Sequence, residues 1–144
     1  MTPSEFLGNN GEQQVIEAIR TAENNTSGEI KVHLEKICDS DPVKAAQQMF
    51  HRLKMDNTKE KNGVLIYVAI ESHKFAIIGD EGINEKVGEE FWHEVKEVMQ
   101  RRFRESKFAI GLVEGILLSG KKLAEYFPWD RSDENELSDE ISTG

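Results

Sequence analysis

From Val64 to Ile70 the chain reads Val-Leu-Ile-Tyr-Val-Ala-Ile, with no charged residue. A strand with one face in water alternates between apolar and polar residues; a continuous run of this length belongs to a strand covered on both faces. The rest of the chain must therefore supply two covering layers. Glu71-Ser72-His73-Lys74 has the length of a hairpin connection, so the strand Phe75 to Ile78 is expected to run antiparallel to its predecessor. It ends in the acidic turn Gly79-Asp80-Glu81-Gly82.

Upstream, Glu29 to Ile37 alternates. Ile30, Val32 and Leu34 are expected on the buried side, and Lys31, His33 and Glu35 on the polar side. Asp41 followed by Pro42 is a helix start, with Asp as the cap and proline at the first helical position. Val43, Ala46, Phe50 and Leu53 form that helix's apolar stripe. Strand, helix, strand in this order predicts a right-handed crossover and a parallel pair. Before the first strand, Asn10 with Gln13 suggests a capping box, and Val15, Ile16, Ile19 and Ala22 recur at helical spacing. Phe6 and Leu7 are expected to tuck onto the body.

Beyond Gly82 the pattern is helical. Ile83 and Val87 predict a short helix interrupted near Gly88. Phe91, Trp92, Val95, Val98, Met99 and Phe103 share one face. Ile110 through Phe127 marks a last helix, ended by Pro128, with Trp129 as a plug anchoring it. Gly111 and Gly115 lie four apart, which permits close approach of a neighbour. The fold class is α/β: a three-layer α/β/α sandwich around a small mixed sheet of three to four strands.

With 144 residues, residues 1–129 read as a single domain. The net charge of -9 argues against nucleic acid and anionic membrane surfaces as partners. From Asp130 onward stand six acids and one base, Arg131. Residues 130–144 are therefore expected to be an acidic, disordered tail. Cys38 is the only cysteine, so no intrachain disulfide forms. No apolar run approaches the roughly 18 residues of a membrane helix, and Met1-Thr2-Pro3-Ser4-Glu5 lacks the pattern of a signal peptide. The expected setting is cytoplasmic, with a protein partner left open.

The acidic turn is the best place to look for chemistry. Strand direction is expected to bring Asp80 and Glu81 near Asn62, the loop carrying Asp56, and the Ser27-Gly28-Glu29 strand entrance. Such oxygen donors suit a hard divalent cation, calcium or magnesium. The competing reading is that Asp80 caps the next helix and the glycines serve the turn. Asp39 and Asp41 make a weaker pair at the opposite sheet end. His33, His51, His73 and His93 show no metal-ligand spacing and are expected in solvent. No phosphate-binding loop or nucleophile elbow is present, and no catalytic residue stands out. Lys96, Arg101, Arg102 and Arg104 form a basic run that suits a solvated helix face or an acidic partner.

The segments Ser27 to Val32, Asn62 to Ala69 and Phe75 to Ile83, followed by Phe91-Trp92 and the Phe108 to Gly120 helix, resemble the TPM domain family over about residues 10 to 128. The likeness is to short stand-alone bacterial members. The resemblance implies an α/β/α sandwich with divalent cations bound in loops at the sheet end, and a regulatory or assembly role. It points to Asp80 first, then Asn62 and Glu29. It also implies an alternative, a metal-dependent acid phosphatase. Many members carry a signal peptide and a membrane anchor, neither of which is expected from this sequence.

Overall fold

A computed structural model describes residues 1–129 and 139–144. The elements are α1 (Pro3–Leu7), α2 (Gly11–Glu23), β1 (Glu29–Glu35), α3 (Pro42–Arg52), β2 (Gly63–Ala69), β3 (Lys74–Gly79), α4 (Glu81–Asn84), a 3-10 turn (Glu89–Trp92), α5 (His93–Arg104), α6 (Phe108–Ala124) and β4 (Ser142–Thr143). The sheet order is β3-β2-β1-β4, with β1 parallel to β2 and β3 antiparallel to it. The crossover through α3 and the short turn after β2 thus give the mixed sheet expected from their lengths.

Every residue of β2 is buried. Val64, Ile66 and Val68 join Ile30, Val32 and Leu34 of β1 against α2, α5 and α6. Leu65, Tyr67 and Ala69 point the other way, onto Ala46, Met49 and Phe50 of α3. The result is the three-layer arrangement. α6 lies between α2 and α5, and its glycines set both spacings. A β-carbon at Gly120 would stand 2.6 Å from that of Ala22, and one at Gly115 would stand 2.6 Å from Met99 Cγ.

Four local expectations change. Asn10 makes no side-chain cap, because it adopts a left-handed backbone with φ of 61°. The N-terminal segment instead forms a helix of its own, with a capping box between Thr2 and Glu5. Val43 is 41% exposed, because it sits in the first turn of α3, where the helix enters from solvent. Trp129 is 49% exposed. Phe127 does the anchoring instead: its carbonyl accepts from the backbone N–H of Ser27 at 2.9 Å and from the Thr26 hydroxyl.

His33 is the fourth correction. It is buried rather than solvated, because β4 covers that edge of β1. Its Nδ1 lies 2.9 Å from Ser142 Oγ and its Nε2 lies 3.2 Å from Glu35 Oε1. The ring stacks on Tyr67. Burial lowers its pKa, favouring the neutral imidazole. Serine, histidine and carboxylate in a row also occur in hydrolytic triads; here the row fastens β4 to β1 across a buried histidine.

Of the acidic tail, residues 130–138 lie outside the described residues, and residues 139–144 run along β1. Gly144 N–H donates to Leu34 O at 3.0 Å, and Lys31 Nζ to Glu140 O at 3.1 Å. Glu23 Oε2 accepts from Ile30 N–H at 3.0 Å. Burial, then the hydrogen bond to Asp139, pushes the Glu23 carboxyl up to about 10, with Glu29 adding like charge. Arg20 and Lys31 are the nearby cations. In the unfolded chain Glu23 ionises near 4.5. Folded, it keeps its proton, so this group's stabilisation is complete below about pH 4.5 and lost as pH rises toward 10. The isosteric Glu23→Gln retains both hydrogen bonds without needing the proton. Its melting temperature should exceed the parent's at about pH 8 and match it under acid. Parallel melting curves across pH for both proteins would contradict this.

Candidate functional site

The end of β3 lies beside the start of β2, with Gly79 opposite Val64. Asp80 continues the ladder, its N–H donating to Gly63 O at 2.9 Å. The chain then turns into α4. Asp80 Oδ1 accepts from the N–H of Glu81 at 2.7 Å, so one carboxylate oxygen serves as the helix cap. The other does not. Asp80 is only 8% exposed, and its Oδ2 is buried with no hydrogen-bond partner among the described residues. An orphaned carboxylate oxygen is costly in a folded protein.

Gly82 brings a second strand of backbone against this turn. Its N–H donates to Lys61 O at 2.8 Å. A β-carbon there would collide with Glu60 O and lie 2.6 Å from Lys61 O. Only glycine lets the 60–62 loop lie so close. The packing places two backbone carbonyls beside the acidic turn.

Asn62 is buried and works as a crosslink. Its Nδ2 donates to Ser27 Oγ at 3.2 Å and to Glu60 Oε2 at 3.1 Å, while Ser27 Oγ donates to Glu60 Oε2 at 2.7 Å. Asn62 O receives Glu29 N–H at 3.3 Å. Three loops therefore meet at one end of the sheet. Glu60 is the member that sequence reasoning missed. The available signal was its position two residues before Asn62, in the loop that leads directly into β2.

Not every candidate joins the cluster. The Asp56 carboxylate lies 3.5 Å from His51 Nδ1, and its carbonyl accepts from Lys61 Nζ. Glu29 is buried, and its charge acts on Glu23 of α2. Glu81 is exposed. Among the described residues, no three acidic, histidine or cysteine side chains converge as a metal would need them. Beside Asp80 opens a cavity of about 420 Å³, lined by Gln47, Phe50 and His51 of α3, by Ile77 to Glu81, and by Asn84 and Trp92. No lysine or arginine lines it.

The comparisons with known proteins agree with this architecture. A family model described as the TPM domain matches residues 1–122. The solution structure of BA42 from the psychrophilic bacterium Bizionia argentinensis is similar at 50% identity and a TM-score of 0.92, covering 99% of each chain. The N-terminal domain of a protein from P. gingivalis shares the fold at 20% identity and a TM-score of 0.67, over 84% of this chain and 79% of that one. No curated protein matches the sequence.

Proposed function

The chain belongs to the TPM domain family, and from that premise we propose that it is a divalent-cation-binding module with a regulatory or assembly role. The observation that carries this reading is Asp80 Oδ2, buried and without a hydrogen-bond partner among the described residues. A hard cation is the partner such an oxygen lacks. The groups available to hold the ion are the Asp80 carboxylate, Asn62, and the carbonyls of Glu60 and Lys61 that press on Gly82. Calcium and magnesium both suit an all-oxygen set. With so few charged ligands, affinity falls in the weak class, about 10⁻⁴ to 10⁻³ M.

Phosphoester hydrolysis asks for more. The cavity beside Asp80 offers His51 but no cationic side chain to receive a phosphoryl group. Binding without turnover is the reading we carry forward.

Thermal melting with and without ion tests it. At about ten times Kd, mass action adds about 1.4 kcal/mol, a rise of roughly 3–5 °C for a chain of this size. In Asp80→Asn the rise should vanish, because the cap oxygen remains while the charge is lost. In chelator, the variant should be at least as stable as the parent, since it buries no unpaired charge. An equal rise in both proteins would rule Asp80 out as the ligand.

A further inference from the structure

The two edges of the sheet are treated differently. At one edge, β4 covers part of β1. At the other, β3 has no neighbour among the described residues. The register identifies which of its groups face outward. Asp80 N–H bonds Gly63 O, so the pairs formed by Ile78, Ala76 and Lys74 with β2 are the hydrogen-bonded ones. The N–H and C=O of Phe75 and Ile77 and the N–H of Gly79 therefore point away from the sheet. Gly79 O, the remaining outward carbonyl, is capped by Asn84 Nδ2 at 3.1 Å.

Natural edges are usually blunted by proline, a bulge or a central charge. Residues 75–79, Phe-Ala-Ile-Ile-Gly, carry none of these side chains. The edge instead forms the floor of a concavity. The cavity of about 420 Å³ has Phe50 and His51 on one wall, Asn84 and Trp92 on the other, and Ile77 to Gly79 between them. At the start of β3 a second cavity of about 270 Å³ is lined by Phe75, Phe103, Phe108 and Arg104. The two lie at opposite ends of the strand, on either side of Ala76, across a span of roughly 20 Å.

The ends of this groove carry opposite charge. Asp80 and Glu81 stand at one end. At the other stand His73 and Arg104, both exposed. Arg104 has no ion pair among the described residues, whereas Arg102 is held by Glu114 and Glu105. Lys74 already donates to Cys38 O and Ser40 O. Lys96 and Arg101, like Arg104, have no ion pair among the described residues, but of the basic run Arg104 is the member that lines the cavity at the start of β3.

We infer that the outer edge of β3 is a docking groove for an extended peptide of a partner protein. The peptide adds antiparallel to β3, with a basic residue over the exposed Glu81 at its N-terminal end. An acidic residue meets Arg104 at its C-terminal end, and an apolar side chain lies on Phe75, Phe103 and Phe108. Main-chain hydrogen bonds supply affinity and the alternate side chains supply selectivity. Antiparallel self-pairing of β3 would also match the charges, but over Ile77 to Gly79 the walls on both faces leave room for a single strand rather than another folded copy. The cation reading at Asp80 rests on a different observation and does not enter this one.

The probe is a blocked hexapeptide, acetyl-Lys-Thr-Val-Thr-Val-Glu-amide, titrated into ¹⁵N-labelled protein, with the charge-reversed Glu-Thr-Val-Thr-Val-Lys as its control. The amides of Phe75, Ile77 and Gly79 should shift and gain protection from hydrogen exchange. The first peptide should bind about fivefold tighter than its reverse, the worth of two surface ion pairs. Arg104→Glu, an exposed change that leaves the fold intact, should erase or invert that preference. The inference fails if millimolar peptide leaves the Phe75, Ile77 and Gly79 amides unmoved, or if both peptides bind equally in parent and variant. It also fails if the same amides shift with protein concentration alone, which would make a second copy the occupant.

Discussion

Gly82→Val is expected to lower stability by about 3–4 kcal/mol, a loss of roughly 10 °C in melting temperature. The reason lies in what the new side chain meets. Glu60 O and Lys61 O stand where its β-carbon must go, and both are backbone atoms that cannot rotate aside. The 60–62 loop has to retreat. It then loses the Gly82 N–H to Lys61 O bond and strains the one from Glu29 N–H to Asn62 O. Gly88→Ala is the control, since nothing lies within 4 Å of a β-carbon there; its effect should stay within about 0.5 kcal/mol. Urea unfolding of the pair reads both. Similar midpoints for the two variants would mean that the loop is not held as described. Because the same carbonyls flank the acidic turn, Gly82→Val should also blunt any stabilisation by calcium.

Ile66→Ala should be as damaging, by about 4 kcal/mol. Ile66 is fully buried in the middle of β2, paired with Val32 on one side and Ile77 on the other. Neighbouring strands fix its surroundings, so the cavity left behind cannot collapse. Val43→Ala, at a residue 41% exposed, should cost about 0.5 kcal/mol or less. The contrast is measured by the same urea titration, and comparable costs would contradict the layering.

These two residues also mark what a sequence reveals. Ile66 lies in an unbroken apolar run, and burial on both faces follows from that run alone. The hairpin length then fixes the direction of β3, and direction sets Gly79 and Asp80 beside Gly63. Val43 fits the same helical period as Phe50 yet lies in the first turn of α3. Periodicity ranks faces and does not say where a helix enters the core. Asn10 has the right identity for a cap, but its left-handed backbone turns the side chain away, and backbone dihedrals are not written in residue type. His33 alternates with Ile30 and Val32 as a solvent-facing residue should. It is buried by Ser142 and its neighbours, more than a hundred residues further on, and nothing local announces that contact.

At the site, the meeting of loops follows from strand direction, while the division of labour within Asp80 does not. Residue type permits both a helix cap and a ligand; in the folded chain the cap uses one oxygen, and the proposed ion would use the other. Oδ1 binds the Glu81 N–H, and Oδ2 is buried with no hydrogen-bond partner among the described residues. The proposed donors are one buried carboxylate, an amide and two carbonyls, which is a modest set. It suits an ion that binds and leaves.

The most direct measurement is a calcium titration, repeated with magnesium, followed through the backbone amide signals of the parent and of Asp80→Asn. The account predicts saturable shifts in the Gly79 to Gly82 and Lys61 to Gly63 amides of the parent, at about millimolar ion, and none in the variant. Shifts confined to the acidic C-terminal residues, or shifts at Gly79 to Gly82 that persist unchanged in Asp80→Asn, would contradict it.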